Sequence, residues 1–177
     1  MKKTANFEDL LQEAFGDLYD AEKQIAAALP RMMAASSSEE LSGALASDLE
    51  DTKGQLARLE TLFERFAAEP GGRECRPVLA VFGEGERLIG EVEKSPVLDA
   101  ALIDVFRKVK HYEIAAYRTA CGLAEMLGQQ EAFNLLNDTL VEETEADADL
   151  EELLEALLSG DTGTAEDEEE EVEEEEQ

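Results

Sequence analysis

Six acidic side chains, Glu22, Asp48, Asp51, Glu113, Glu143 and Asp147, stand in or beside stretches whose apolar residues recur at helical spacing. On a wheel turning about 100° per residue, Glu22 lies between Leu18 and Ile25, within about 40° of the stripe axis. Glu113 lies in the same way between Val109 and Ala116, and Glu143 and Asp147 fall inside the stripe of Leu136, Leu140, Leu150 and Leu154. Asp48, Thr52 and Gln55 interrupt Leu45, Leu49, Leu56 and Leu59, with Asp51 at the edge. Burying an ionised carboxylate without a partner costs on the order of several kcal/mol, and several facing one another add repulsion. The wheel puts Lys23, Lys53, Lys110 and Arg118 on flanks or outer faces, away from these acids. Neutralisation then falls to a metal, and hard oxygen donors suit two Fe or Mn ions sharing bridging carboxylates.

Other chemistry has less support. His111, the only histidine, is about 160° from the stripe of its helix and is read as exposed. Tyr19 and Tyr112 neighbour Glu22 and Glu113 and could hydrogen-bond a carboxylate or take part in redox chemistry; packing with the hydroxyl at the rim is the plainer reading. Met32, Met33 and Met126 read as core filler. Asp147-Ala148-Asp149 lacks the glycine and closing glutamate of an EF-hand loop. The chain holds no Ser/His/Asp set, P-loop or dinucleotide fingerprint.

The elements that must carry the acids are helices. The first is expected over 7–33, with Pro30 weakening its last turn. Ser37 with Glu40 reads as a capping box opening a second helix, which ends before Pro70-Gly71-Gly72. Residues 73–94, interrupted by Gly83 and Gly85, read as a crossover with one or two short helices. Ser95-Pro96 opens a helix that runs to Leu127 and stops at Gly128; another runs from near Gln130 to Ser159-Gly160. Alternating β-branched runs are absent, so the fold expected is all-α: a ferritin-like four-helix bundle over 1–160, its two hairpins joined by a long crossover.

Composition bounds what such a bundle can do. Asp and Glu number 44 against 15 Lys and Arg, a net charge of −29 that repels polyanions and argues against nucleic acid. Of these acids, 11 lie in residues 161–177, which contain no base and read as a solvated, disordered tail. The remaining 33 acids still outnumber the bases, so the bundle itself is acidic. That balance suits a halophilic habitat, where carboxylates hold hydrated cations, or an interaction tail of unknown partner; the habitat reading is preferred. No apolar run approaches the roughly 18 residues of a membrane span, and the N-terminal stretch turns acidic at once, so a cytoplasmic protein is expected. Cys75 and Cys121 are too few and too far apart for a disulfide scaffold and read as reduced, buried thiols.

Several motifs together carry a resemblance. Tyr19-Asp20-Ala21-Glu22-Lys23-Gln24 with Leu29-Pro30, Thr52 and Gln55 leading into Arg58-Leu59-Glu60, and His111-Tyr112-Glu113-Ile114-Ala115 with Tyr117 resemble the YciE/YciF-type ferritin-like family over about residues 7–158. The resemblance implies a stress-associated bundle related to rubrerythrin and ferritin, with a dimetal carboxylate centre and usually a homodimer. Where that family commonly reads His-x-x-Glu-Thr this chain has Asp48-Leu49-Glu50-Asp51-Thr52, and where it reads Glu-His-Tyr-Glu this chain has Lys110-His111-Tyr112-Glu113. An all-oxygen site favours Mn(II), Fe(II), Mg(II) or Ca(II) over zinc or copper.

Two classes of function follow. One is an oxidoreductase that oxidises Fe(II) or consumes peroxide, with Glu22, Glu113 and Glu143 as ligands and Asp48 and Asp147 completing the coordination. The other is a non-catalytic stress-protection or structural module with a redox-inert cation or none.

Overall fold

The computed structural model describes residues 4–160; the acidic tail reading falls on 161–177, outside the described residues. Five helices, and no strand, occur among the described residues: α1 (Phe7–Ala35), α2 (Glu39–Arg65), α3 (Arg76–Glu91), α4 (Pro96–Met126) and α5 (Gln130–Ser159). Three-residue links join α1 to α2 and α4 to α5, so each pair folds back as a hairpin. The hairpins meet through α1 against α4 and α2 against α5, and α3 lies on α1 and α4. This is the expected all-α bundle with a crossover, and the crossover is one continuous helix through Gly83 and Gly85. At Gly85 the backbone approaches α4 so closely that a Cβ would lie 3.2 Å from Val105 Cγ1.

Local chemistry sets the helix ends. Asn6 caps α1 by accepting from the Asp9 amide at 2.8 Å. The cap of α2 is Ser38, which accepts from Leu41 N, and not Ser37 as the capping-box spacing suggested. Ser37 is drawn away by α4: its amide donates to Asp99 Oδ1 at 2.8 Å and its hydroxyl to Asp99 Oδ2. Asp99 is only 1% exposed and ties the first hairpin to the start of α4. Ser95 and Pro96 occupy the expected N-cap and first-turn positions of α4. After α2 the chain returns over α1 through facing glycines: a Cβ on Gly72 would sit 2.4 Å from the Gly16 carbonyl carbon. Asp20 Oδ2 secures the same segment by accepting from Cys75 N at 2.7 Å.

The apolar interior is in two parts. One holds Ile25, Leu29, Leu41, Leu45, Leu102, Phe106, Val109 and Leu150, together with Val78 and Phe82 from α3. The other holds Leu11, Phe15, Leu18, Leu59, Phe63, Tyr117, Ala120 and Leu136. Met32 belongs to the interior, whereas Met126 is 54% exposed and fills nothing, because it lies on the outward side of the last turn of α4, opposite buried Ala124. Cys75 and Cys121 are buried and unbridged, as expected. No helix among the described residues is long and apolar enough to cross a membrane.

Candidate metal centre

Between the two apolar clusters lies a polar layer, built where each long helix passes the middle of the bundle. Glu22 falls between Leu18 and Ile25, Asp48, Thr52 and Gln55 between Leu45 and Leu59, Glu113 between Val109 and Tyr117, and Glu143 between Leu136 and Leu150. All of these polar side chains are buried. One oxygen from each of Glu22, Glu113 and Glu143 lies within 4.8 Å of the others. Glu22, Glu113 and Glu143, which the helical wheel placed inward on α1, α4 and α5, are thus neighbours in space.

The cluster contains a cation that the wheel put outside. Lys110 is fully buried, and its Nζ lies 2.6 Å from Glu143 Oε2, 2.7 Å from Asp48 Oδ1 and 3.3 Å from Glu113 Oε2. The expectation that no lysine or arginine reaches this level is therefore wrong. Phe106, Lys110, Glu113 and Tyr117 form one buried row at helical spacing, inclined to the stripe drawn through Leu98, Leu102, Val105 and Val109. Helix α4 touches α1, α3 and α5, so it presents a wider inward face than one stripe describes. Burial acts to lower the Lys110 pKa, but Glu113, Glu143 and Asp48 together outweigh it and hold the ammonium well above its ordinary value. Its Nζ also stands 4.9 Å from the centre of the Phe106 ring.

Asp48 is thus brought into the layer as the partner of Lys110. Asp147 and Asp51 are placed differently. Asp147 accepts from Arg107 at 3.0 Å, and exposed His111 stands 3.3 Å from its other oxygen. Asp51 is exposed beside the layer. Tyr19 and Tyr112 do hydrogen-bond carboxylates, but those of Glu60 and Asp17. The tyrosine at the centre is Tyr117, whose hydroxyl donates to Glu22 Oε1 at 2.6 Å. Its position four residues after Glu113 was the available signal. At the rim Arg58 pairs with Glu142 at 2.5 Å, and within the layer Gln55 donates to Glu143 Oε1 at 2.7 Å.

The hydrogen bonding leaves several polar atoms of the layer unsatisfied. Both Glu143 oxygens have partners, while Glu22 Oε2, both oxygens of Glu113, Asp48 Oδ2, Thr52 Oγ1 and Gln55 Oε1 are buried without a hydrogen bond. The 3.3 Å approach of Lys110 to Glu113 is an ion-pair distance without hydrogen-bond geometry. Burial, reinforced by the charge of Glu143, pushes Glu22 up to about 8. The same two causes raise Glu113 well above the usual carboxylate range. Burial takes Asp48 up to about 6 despite Lys110. Burial thus favours the protonated forms of Glu22 and Glu113, and the Lys110 ammonium adds positive charge to the layer.

Comparisons with known proteins agree with this architecture. Residues 6–162 match the family described as Domain of unknown function (DUF892). Protein YciF of Escherichia coli (strain K12) is 40% identical over 147 residues, covering 82% of this chain and 89% of that protein. The crystal structure of the E. coli stress protein YciF superposes with a TM-score of 0.83 at 37% identity, over 87% of this chain and 98% of that one. YcfI of Rhodopseudomonas palustris, whose suggested role is structural, gives a TM-score of 0.82 at 36% identity, over 85% and 96% of the two chains. With a family match over almost all of its described length and relatives this similar, the chain belongs to the YciF-type DUF892 family of ferritin-like helical bundles.

Proposed function

We propose that this chain is a YciF-like stress protein whose bundle core binds a divalent cation, Fe(II) or Mn(II), through Glu22, Glu113 and Glu143. The supporting observation is that Glu22, Glu113 and Glu143 each bring an oxygen within 4.8 Å of the others, while Glu22 Oε2 and both Glu113 oxygens are buried without a hydrogen bond. Hard divalent ions bond oxygen at about 2.0–2.6 Å, so the three oxygens span scarcely more than two bond lengths and fit one ion. An all-oxygen donor set with a tyrosine hydroxyl on Glu22 suits iron or manganese and disfavours zinc or copper. Bound there, iron or manganese would supply a one-electron couple and a Lewis acid, the chemistry that Fe(II) oxidation or peroxide consumption requires. The protein's own part is positional. Tyr117 orients Glu22, Gln55 and Lys110 hold Glu143, and the apolar clusters on either side keep water out.

The test is elemental analysis after anaerobic loading with Fe(II) or Mn(II) and removal of free metal. The native chain is expected to retain ion, and the Glu22→Gln, Glu113→Gln double variant to lose it with its helical circular dichroism intact. Equal retention by the double variant would remove these residues from the site. A second reading, a non-catalytic structural or stress-protection bundle, is favoured by Lys110, which already places a positive charge among the acids. Native protein that retains no ion, and whose melting temperature a chelator leaves unchanged, would select it.

A further inference from the structure

We infer that Lys110 takes the place of a second metal ion, so that this centre is built for at most one divalent cation, with the lysine ammonium as a permanent internal counter-ion. The inference rests on the proposed cation site at Glu22, Glu113 and Glu143 and determines how many ions that site can hold.

The layer has two halves that share Glu113 and Glu143. In one, oxygens of Glu22, Glu113 and Glu143 converge, and Glu22 Oε2 and Glu113 Oε1 accept no hydrogen bond and meet no cation. In the other, Asp48, Glu113 and Glu143 converge on Lys110 Nζ, at 2.7, 3.3 and 2.6 Å. A pair of ions bridged by carboxylates needs both halves, and the ammonium stands where the second would bind. The ammonium already holds Asp48 Oδ1 and Glu143 Oε2, Gln55 holds the other Glu143 oxygen, and a divalent ion packed into the same half would repel the ammonium.

Displacing the lysine is costly. Its side chain is fully buried, Phe106 lies beside the ammonium, and Asp48 and Glu143 hold it at 2.7 and 2.6 Å. Moving it would strand a charge in the apolar interior. The second half is therefore closed by the protein itself, and the donor set does not fit a dinuclear centre. Asp48 is retained inward by the same logic: it is the lysine's partner, contributed by the one long helix that supplies no glutamate to the cluster.

The experiment compares Mn(II) bound per chain, by elemental analysis after equilibrium dialysis, in the full-length native protein and in Lys110→Glu, which exchanges the ammonium for a carboxylate. The expected result is about one ion per native chain and about two in the variant. Two ions in the native chain would overturn the inference, as would a folded Lys110→Glu variant that binds no more than the native. No ion in the native chain with uptake by the variant would remove the proposed cation function and still support the role of Lys110. Should Lys110→Glu fail to fold, Lys110→Met decides by melting temperature. Mn(II) is expected to raise the midpoint of this variant more than that of the native chain, and an equal rise overturns the inference.

Discussion

Lys110 and Glu143 form a fully buried ion pair across α4 and α5, with Nζ 2.6 Å from Oε2 and the lysine wholly withdrawn from solvent. This contact dominates the electrostatics of the polar layer and, on the proposal above, limits it to one ion. A buried pair adds little stability over an apolar replacement, because desolvation offsets the attraction, but breaking it leaves a charge stranded.

Removal of the ammonium is accordingly expected to be expensive. In metal-free buffer, Lys110→Met should lower unfolding stability by about 3 kcal/mol, measured by urea denaturation. Asp48→Asn should cost less in the Lys110→Met background than in the native chain, with a coupling of at least about 1 kcal/mol. Additive effects would mean that the 2.7 Å contact between Asp48 and Lys110 contributes nothing of its own.

The raised carboxylates make stability depend on pH in a defined direction. Glu22 moves from an ordinary 4.5 to about 8 and Asp48 from 3.8 to about 6, so the folded chain holds these protons more tightly than the unfolded one. Their stabilisation is complete below the unfolded values and is lost as pH rises through the folded ones. The metal-free melting temperature should therefore fall between about pH 5 and about pH 8, and Glu22→Gln with Asp48→Asn should flatten the fall across that range. At the proposed cation site Mn(II) would compete with the same protons, so the stabilisation it gives should grow over that range. A metal-free melting temperature that is level or rising there would contradict the assignment.

Asp99 tests how the hairpins are joined. Asp99→Ala deprives the Ser37 amide and hydroxyl of their acceptor, and a loss of about 2 kcal/mol is expected. Ser37→Ala removes only the hydroxyl bond and should cost about 1 kcal/mol. Thermal melts of the two variants separate the contributions, and equal losses would show that the backbone amide bond carries none of the stability.

The end of α2 offers a gain. Ala67 has φ 49°, a left-handed conformation, with the Ala68 amide bonded back to the Phe63 carbonyl at 2.9 Å. The end of α4 makes the same closure with Gly128 at φ 68°, the residue suited to it. Ala67→Gly should stabilise the chain by about 0.5–1 kcal/mol, and Gly128→Ala should destabilise it by a similar amount, both read from denaturant midpoints.

Much of the bundle is visible in the order of residues, because helix formation and the inward stripe are local properties repeated every few positions. The spacing of Leu11, Leu18, Ile25 and Leu29 and the stops at Gly128 and Gly160 suffice to place the long helices. The same periodicity points Glu22, Glu113 and Glu143 inward, and the structure brings them together. Helix packing was needed for the rest. A single stripe cannot show that α4 is enclosed by three neighbours and turns Lys110 inward along with Glu113. Nor can it show that Asp147 is held by Arg107, that Asp51 stays in solvent, or that Asp99 captures Ser37 from 62 positions away. Which acids meet, and which cation meets them, depends on the rotation of each helix about its axis, and that is settled by contacts between segments distant in the chain.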